Sequence, residues 1–183
     1  MSHMVRGPRA LCLLAAVGLL SACAVIPGDM KYPGPPPRPQ NVLDYYDYST
    51  VQPYTAVSEQ VVTEKPKYVH KRLIIGSEHG SITIEHYKRR QPTKNLVFIF
   101  PVLGGKLQVE GYFAKYFAQR GFDTAIVHRD KDFKRPELFS AIEEVFRKNV
   151  IRDRIAMDYF QREEGIEKFG SFGISRGAIN AAI

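Results

Sequence analysis

From residue 68 onward the hydrophobic positions change period several times. Residues 69–75 form a short apolar run, followed by the turn Gly76-Ser77-Glu78-His79-Gly80. Residues 81–87 then alternate, with Ile82, Ile84 and His86 set against Thr83, Glu85 and Tyr87. Period two is the mark of a half-buried strand, so the two segments predict an antiparallel hairpin. Leu96-Val97-Phe98-Ile99-Phe100 is apolar throughout, as expected of a strand buried on both faces. It ends in Pro101-Val102-Leu103-Gly104-Gly105. Val109, Tyr112, Phe113, Tyr116 and Phe117 then fall at helical spacing and predict one buried helix face, with Gly121 placed to end the helix.

Residues 124–127 predict another apolar strand, leading into His128-Arg129-Asp130-Lys131-Asp132. Pro136 marks a helix start, with Leu138, Ile142, Val145 and Phe146 along one side. A second helical segment, with Ile151, Ile155 and Tyr159 in line, runs to Gly165. Residues 167–172 predict the last strand, and residues 178–183 a final helix. Strands that alternate with helices predict an α/β fold with a mostly parallel sheet covered on both faces.

The chain has 183 residues and a formal net charge of +7. Its basic residues are scattered rather than gathered in a stripe with aromatic or glycine interleaving, which argues against nucleic acid as a partner. Cys12 and Cys23 lie ahead of the folded part, so a core disulfide and a cysteine-based metal site are excluded there.

Arg6 and Arg9 precede the apolar run ALCLLAAVGLLSAC, the layout of a secretory signal. The run is at the short end of what spans a bilayer, which leaves a transmembrane anchor as the plainer alternative. Leu20-Ser21-Ala22-Cys23 resembles a bacterial lipobox. The resemblance implies cleavage after residue 22 and acylation of Cys23, a palmitate-type anchor made stable by several acyl chains. Ala24 resembles the outer-membrane-sorted kind if the host is Gram-negative. The expected location is the bacterial cell envelope, with the membrane reached through Cys23. Met4 is an alternative start to Met1.

Residues 23–67 read as a lipid-anchored arm. PGDMKYPGPPPRPQ, residues 27–40, favours an extended polyproline spacer, with a ligand for an SH3-type domain as the alternative. Residues 43–57 are rich in Tyr and are expected to pack along the domain as an irregular arm, or else to hold carbohydrate by ring stacking.

Gly173-Ile174-Ser175-Arg176-Gly177 matches G-x-S-x-G between a predicted strand and a predicted helix. So tight a turn leaves no room for side chains two before and two after the serine, hence the glycines at 173 and 177. From residue 68 to the end the chain resembles the amino-terminal half of the α/β-hydrolase family. The resemblance implies that Ser175 is an acyl-accepting nucleophile and that Arg176 donates its backbone N–H to the oxyanion. It draws the second donor from the loop after the third predicted strand, at Leu103 or Val102. It also implies a small ester or acyl substrate, with no cofactor and no metal. A tight turn with no chemistry is the plain alternative.

The family order is serine, then acid, then histidine. Residues 176–183 contain no acid and no histidine, so the usual triad has no place after Ser175 and the chain as given is expected to be an inactive fragment. Upstream, His128 is the candidate base, with Asp130 or Asp132 to orient it. His86, inside the hairpin, reads as structural. Two functions result: a lipid-anchored serine hydrolase of the envelope, or a non-catalytic envelope lipoprotein with a degenerate hydrolase-like binding domain.

Overall fold

One sheet contains six strands, β1 (Ala56–Glu64), β2 (Tyr68–Gly76), β3 (Ile82–Arg89), β4 (Asn95–Phe100), β5 (Asp123–Val127) and β6 (Lys168–Gly173). The helices are α1 (Val42–Tyr45), α2 (Gln108–Ala118), α3 (Ile142–Glu163) and α4 (Arg176–Ala181). The computed structural model describes residues 42–49, 51–102, 107–129 and 142–182, all within the unit Pro39–Ile183. The expected cleavage point, Cys23, the polyproline segment and the helix start at Pro136 lie outside the described residues.

The strand order is β1-β2-β3-β5-β4-β6. β1, β2 and β3 follow one another without helices and pair antiparallel, and β3 pairs antiparallel with β5. From β4 on, each strand is followed by a helix, and β5, β4 and β6 run parallel. β4 lies inside this parallel group, which is why its sequence is a continuous apolar run. α3 covers one face over Leu73, Ile84, Phe98, Ala125 and Val127, while α2 covers the other over Val97, Ile99 and Ile126. This is the mixed α/β architecture expected from the pattern and the hydrolase-like form the resemblance implied, except that the sheet is not mostly parallel: three of its five pairings are antiparallel, because β1 joins the β2–β3 hairpin.

Three features differ from the pattern. β1 falls in the segment read as an arm, residues 23–67, so the sheet begins before Tyr68. All of its residues are exposed, so no buried alternation marks it as a strand. A register shift between Val61 and Thr63 and the Lys71–Glu59 ion pair make this edge irregular and charged, as exposed edges commonly are.

Second, α2 buries only part of the stripe its periodicity marks: Phe113 and Phe117 are half-buried and pack against the core. Val109, Tyr112 and Tyr116 are exposed, whereas Glu110, Gly111, Ala114 and Ala118 are buried. The sheet accepts the small side chains because they let the helix axis approach closely. Third, residues 142–163 form a single helix rather than the end of one and the start of another, consistent with the absence of Gly and Pro between them.

The Tyr-rich arm does pack along the domain. The hydroxyls of Tyr45, Tyr48 and Tyr54 donate to Glu143, Asp158 and Glu163 of α3 at 2.7, 2.8 and 2.7 Å.

Candidate active site

β6 delivers the chain to the carboxyl rim of the parallel strands, and α4 leads it away. Ser175 sits between them with φ 55 and ψ −128, a region that side-chain-bearing residues rarely enter. It is the N-cap of α4, yet its hydroxyl makes no capping hydrogen bond, the usual use of a serine there. The residue is exposed.

The flanking glycines account for the turn. A Cβ on Gly173 would lie 2.2 Å from the carbonyl oxygen of Gly177. A Cβ on Gly177 would lie 2.1 Å from the carbonyl oxygen of Phe100 and 3.0 Å from that of Pro101. The elbow is thus pressed onto the end of β4, where the β4–α2 connection begins. The Gly177 amide donates to Ile174 O at 3.0 Å and the Ala178 amide to Ser175 O at 2.9 Å, closing the first turn.

Arg176, the expected first oxyanion donor, opens α4. Its guanidinium lies 5.3 Å from the Phe146 ring centre. Burial, reinforced by the charge of Arg129, lowers its pKa. Of the two expected second donors, Leu103 lies outside the described residues, as do Gly104 and Gly105. Val102 is placed, and its amide is already engaged: it donates to Oε1 of Glu110 at 2.8 Å.

His128 stands at the end of β5, its amide donating to Thr83 O at 2.9 Å. Its Nε2 is 3.0 Å from Oε1 of Glu85 on β3. β3 flanks β5 on the side away from β4 and β6, so the ring tip is directed away from the elbow. Asp130 and Asp132, the expected orienting acids, lie outside the described residues; Glu85 holds the ring instead. Among the described residues the Ser175 hydroxyl makes no hydrogen bond to an imidazole. His86 is fully buried, edge-on to Phe160 with ring centres 4.9 Å apart. Its Nε2 is 3.6 Å from Asp123, too long for a hydrogen bond.

Glu85 gathers more than His128. His70 Nε2 lies 2.7 Å from its Oε2, and Arg72 Nε donates to Oε1 at 2.8 Å. Burial alone would raise the carboxyl pKa, but the bonds to His128, His70 and Arg72 outweigh it and hold the group well below the ordinary carboxylate range. No metal-holding group of His, Cys, Asp or Glu occurs among the described residues.

The sequence pattern did not point to Glu110, which lay between residues read as the buried face. A Glu three positions into a helix after a Gly-rich loop is the signal that could have drawn attention to it.

With this geometry in view, the solved structures that resemble the chain carry weight. A cold-adapted esterase from an Arctic intertidal metagenomic library, in a PEG-bound complex, is similar at 15% identity with a TM-score of 0.53. The match covers 65% of this chain and 57% of that one. The zinc-bound structure bearing the same esterase description matches at 17% identity and a TM-score of 0.51, covering 67% of this chain and 56% of that one. The fold is that of these esterases. The match spans somewhat over half of their length. No family profile and no curated protein matches the sequence.

Proposed function

We propose that this chain is the nucleophile-bearing portion of a serine ester hydrolase of the bacterial cell envelope, tethered by an acylated Cys23. The observation that carries the reading is Ser175: exposed, strained, unused as a cap, and held between glycines that only their missing side chains allow. Strain of this kind persists where the surroundings over-determine it, and it clusters at reactive positions. The fold shared with esterases supports the same class.

In this reading Ser175 Oγ attacks an ester carbonyl. The C–O bond to the leaving alcohol breaks, an acyl-enzyme forms, and water releases the acid. Charge on the tetrahedral oxygen is met by the Arg176 amide and by a second amide from the β4–α2 connection. The engagement of the Val102 amide by Glu110 favours Leu103 as that second donor. The serine proton requires a base, and His128 as placed does not face it.

A fluorophosphonate probe tests the proposal. Labelling of the protein that disappears in Ser175→Ala supports it; equal labelling of both, or none of either, overturns it. The orientation of His128 favours the second reading, a non-catalytic envelope lipoprotein with a hydrolase-like binding domain, and this is the reading left if Ser175-dependent labelling is absent. No helix among the described residues is long and apolar enough to cross a membrane. The tether is tested separately: an alkynyl palmitate fed to expressing cells is expected on the wild type and lost in Cys23→Ala.

A further inference from the structure

One side of α2 is apolar, outward-facing and unused by the core. Val109, Tyr112 and Tyr116 lie along it at spacings of three and four, and Phe122 follows just past the helix. All four are exposed, Tyr112 at 65%. Ala114 and Ala118, each two positions on from a tyrosine, are fully buried against the sheet, so about 200° of helix separates the two sides. The exposed rings are braced from beneath. Tyr112 stands edge-on to Phe113 and Tyr116 to Phe117, with ring centres 5.4 and 5.5 Å apart, and both phenylalanines pack against the core.

The exposed charge on this helix has one sign. Lys115 and Arg120 are exposed, and neither is paired with a carboxylate among the described residues. Elsewhere cations are matched: Lys71 with Glu59, Lys88 with Glu164, Arg90 with Glu64 and Lys94 with Glu167. The one acid of α2, Glu110, is buried and holds the Val102 amide. The Arg120 guanidinium lies 3.6 Å from the Tyr116 ring centre and donates to the Tyr116 carbonyl at 3.2 Å, so charge and ring are presented together.

Rings with a polar tip settle at the level of lipid headgroups, and Lys and Arg beside them meet anionic phosphates while their stems cover apolar surface. A protein partner fits less well. The 11 residues of α2 run about 16 Å, and a helix is about 10 Å wide, far short of the roughly 800 Å² per partner of a stable protein interface. Membrane attachments add to one another, as an acyl chain does with a basic patch.

We propose that the outward side of α2 is a membrane-contact surface that lies on an anionic lipid bilayer. It goes beyond the hydrolase reading and rests on neither Ser175 nor Cys23. Beside an acylated Cys23 it supplies a second attachment and sets which side of the domain faces the lipid.

The chain has no tryptophan, so Tyr112→Trp introduces a single fluorescent reporter. Val61→Trp, on the exposed strand β1, gives the comparison site. The full chain is held on vesicles of anionic phosphatidylglycerol or of neutral phosphatidylcholine, each containing a brominated lipid as quencher. On anionic vesicles the emission of Tyr112→Trp is expected to shift to the blue and fall to about half or less, and that of Val61→Trp to stay as in water. Lys115→Gln and Arg120→Gln are each expected to lower the ratio of contacting to free α2 about fivefold without moving the melting temperature. Equal quenching at both sites, no quenching at 112, or quenching that ignores lipid charge overturns the proposal. So does a blue shift that grows with protein concentration in the absence of vesicles, which assigns the stripe to a second copy. Cys23→Ala changes how much protein the vesicles retain, whereas quenching per retained molecule reads the stripe, so failure of the tether and failure of this surface are told apart. Ser175→Ala is expected to alter neither.

Discussion

Gly111 lies against Tyr87: a Cβ on Gly111 would stand 3.4 Å from the Tyr87 hydroxyl oxygen. The contact shows how near α2 comes to the sheet and why Gly111, Ala114 and Ala118 lie on its buried side. Ala114 is fully buried on this side, and its carbonyl accepts from Thr124 Oγ1 at 3.1 Å. Ala114→Leu is expected to destabilise by about 1–3 kcal/mol through overpacking. Tyr112→Ser, on the 65% exposed side, should shift stability by no more than about 0.5 kcal/mol. Urea unfolding of the two variants checks the assignment of faces; the reverse ranking would contradict it.

The elbow glycines should be far less tolerant than Gly170, earlier in β6. Ala at 173 or 177 would put a methyl within 2.2 or 2.1 Å of a backbone carbonyl oxygen, and backbone cannot swing aside as a side chain can. Each is expected to cost on the order of 3 kcal/mol or to prevent folding. Gly170→Ala would meet only Val97 Cγ2 at 3.6 Å and should be nearly neutral. Yields of folded protein and melting temperatures separate these outcomes.

Glu85 predicts an acid limb in stability. Its pKa is held down in the folded protein, so the folded state binds this proton less readily than the unfolded chain. The stabilisation is complete above the unfolded value, about 4.3, and is lost as pH falls below it towards the depressed folded value. Glu85→Gln should cost about 1–3 kcal/mol at neutral pH and flatten the fall in stability between about pH 5 and pH 3. Denaturant titrations at several pH values measure both.

The arm predicts an alkaline limb. The Tyr45 pKa is pushed up to about 12, chiefly by its bond to Glu143, and the Tyr54 pKa to about 12 by burial and then by its bond to Glu163. Burial first, and then Asp158, raises Tyr48 as well. A raised pKa stabilises the folded state fully below the unfolded value, about 10, and the benefit disappears as pH rises through the folded value. Absorbance at the phenolate band should show these tyrosines ionising after the exposed ones. Tyr48→Phe should cost about 1 kcal/mol at pH 7 and remove one of the late steps.

What the sequence revealed depends on how local the cause was. β4 and β5 are legible because central strands bury nearly every position, and the elbow because Gly173 answers a local clash with Gly177; the press of Gly177 against the end of β4 is long-range and is not written in the pentapeptide. α3 was legible as helix but not as one helix: its apolar positions read as two segments, although residues 142–163 hold no Gly or Pro to part them. β1 was invisible because hydrophobic alternation reports burial, and none of its residues is buried. The stripe on α2 was right only in part: Phe113 and Phe117 pack against the core beside Phe172, while Val109, Tyr112 and Tyr116 face outward and Gly111, Ala114 and Ala118 take the closest approach to the sheet. The grip of Glu85 on His128, and that of Glu110 on Val102, depend on which strand or loop lies alongside, which periodicity does not encode.

The three phenol–carboxylate contacts run in the same sense along arm and helix, from Tyr45 on Glu143 to Tyr54 on Glu163. Tension applied from the amino-terminal side would thus load them one after another, as a zip opens, rather than all together. The arm should peel from α3 at modest force in successive steps, before the sheet and the Ser175 turn behind it give way.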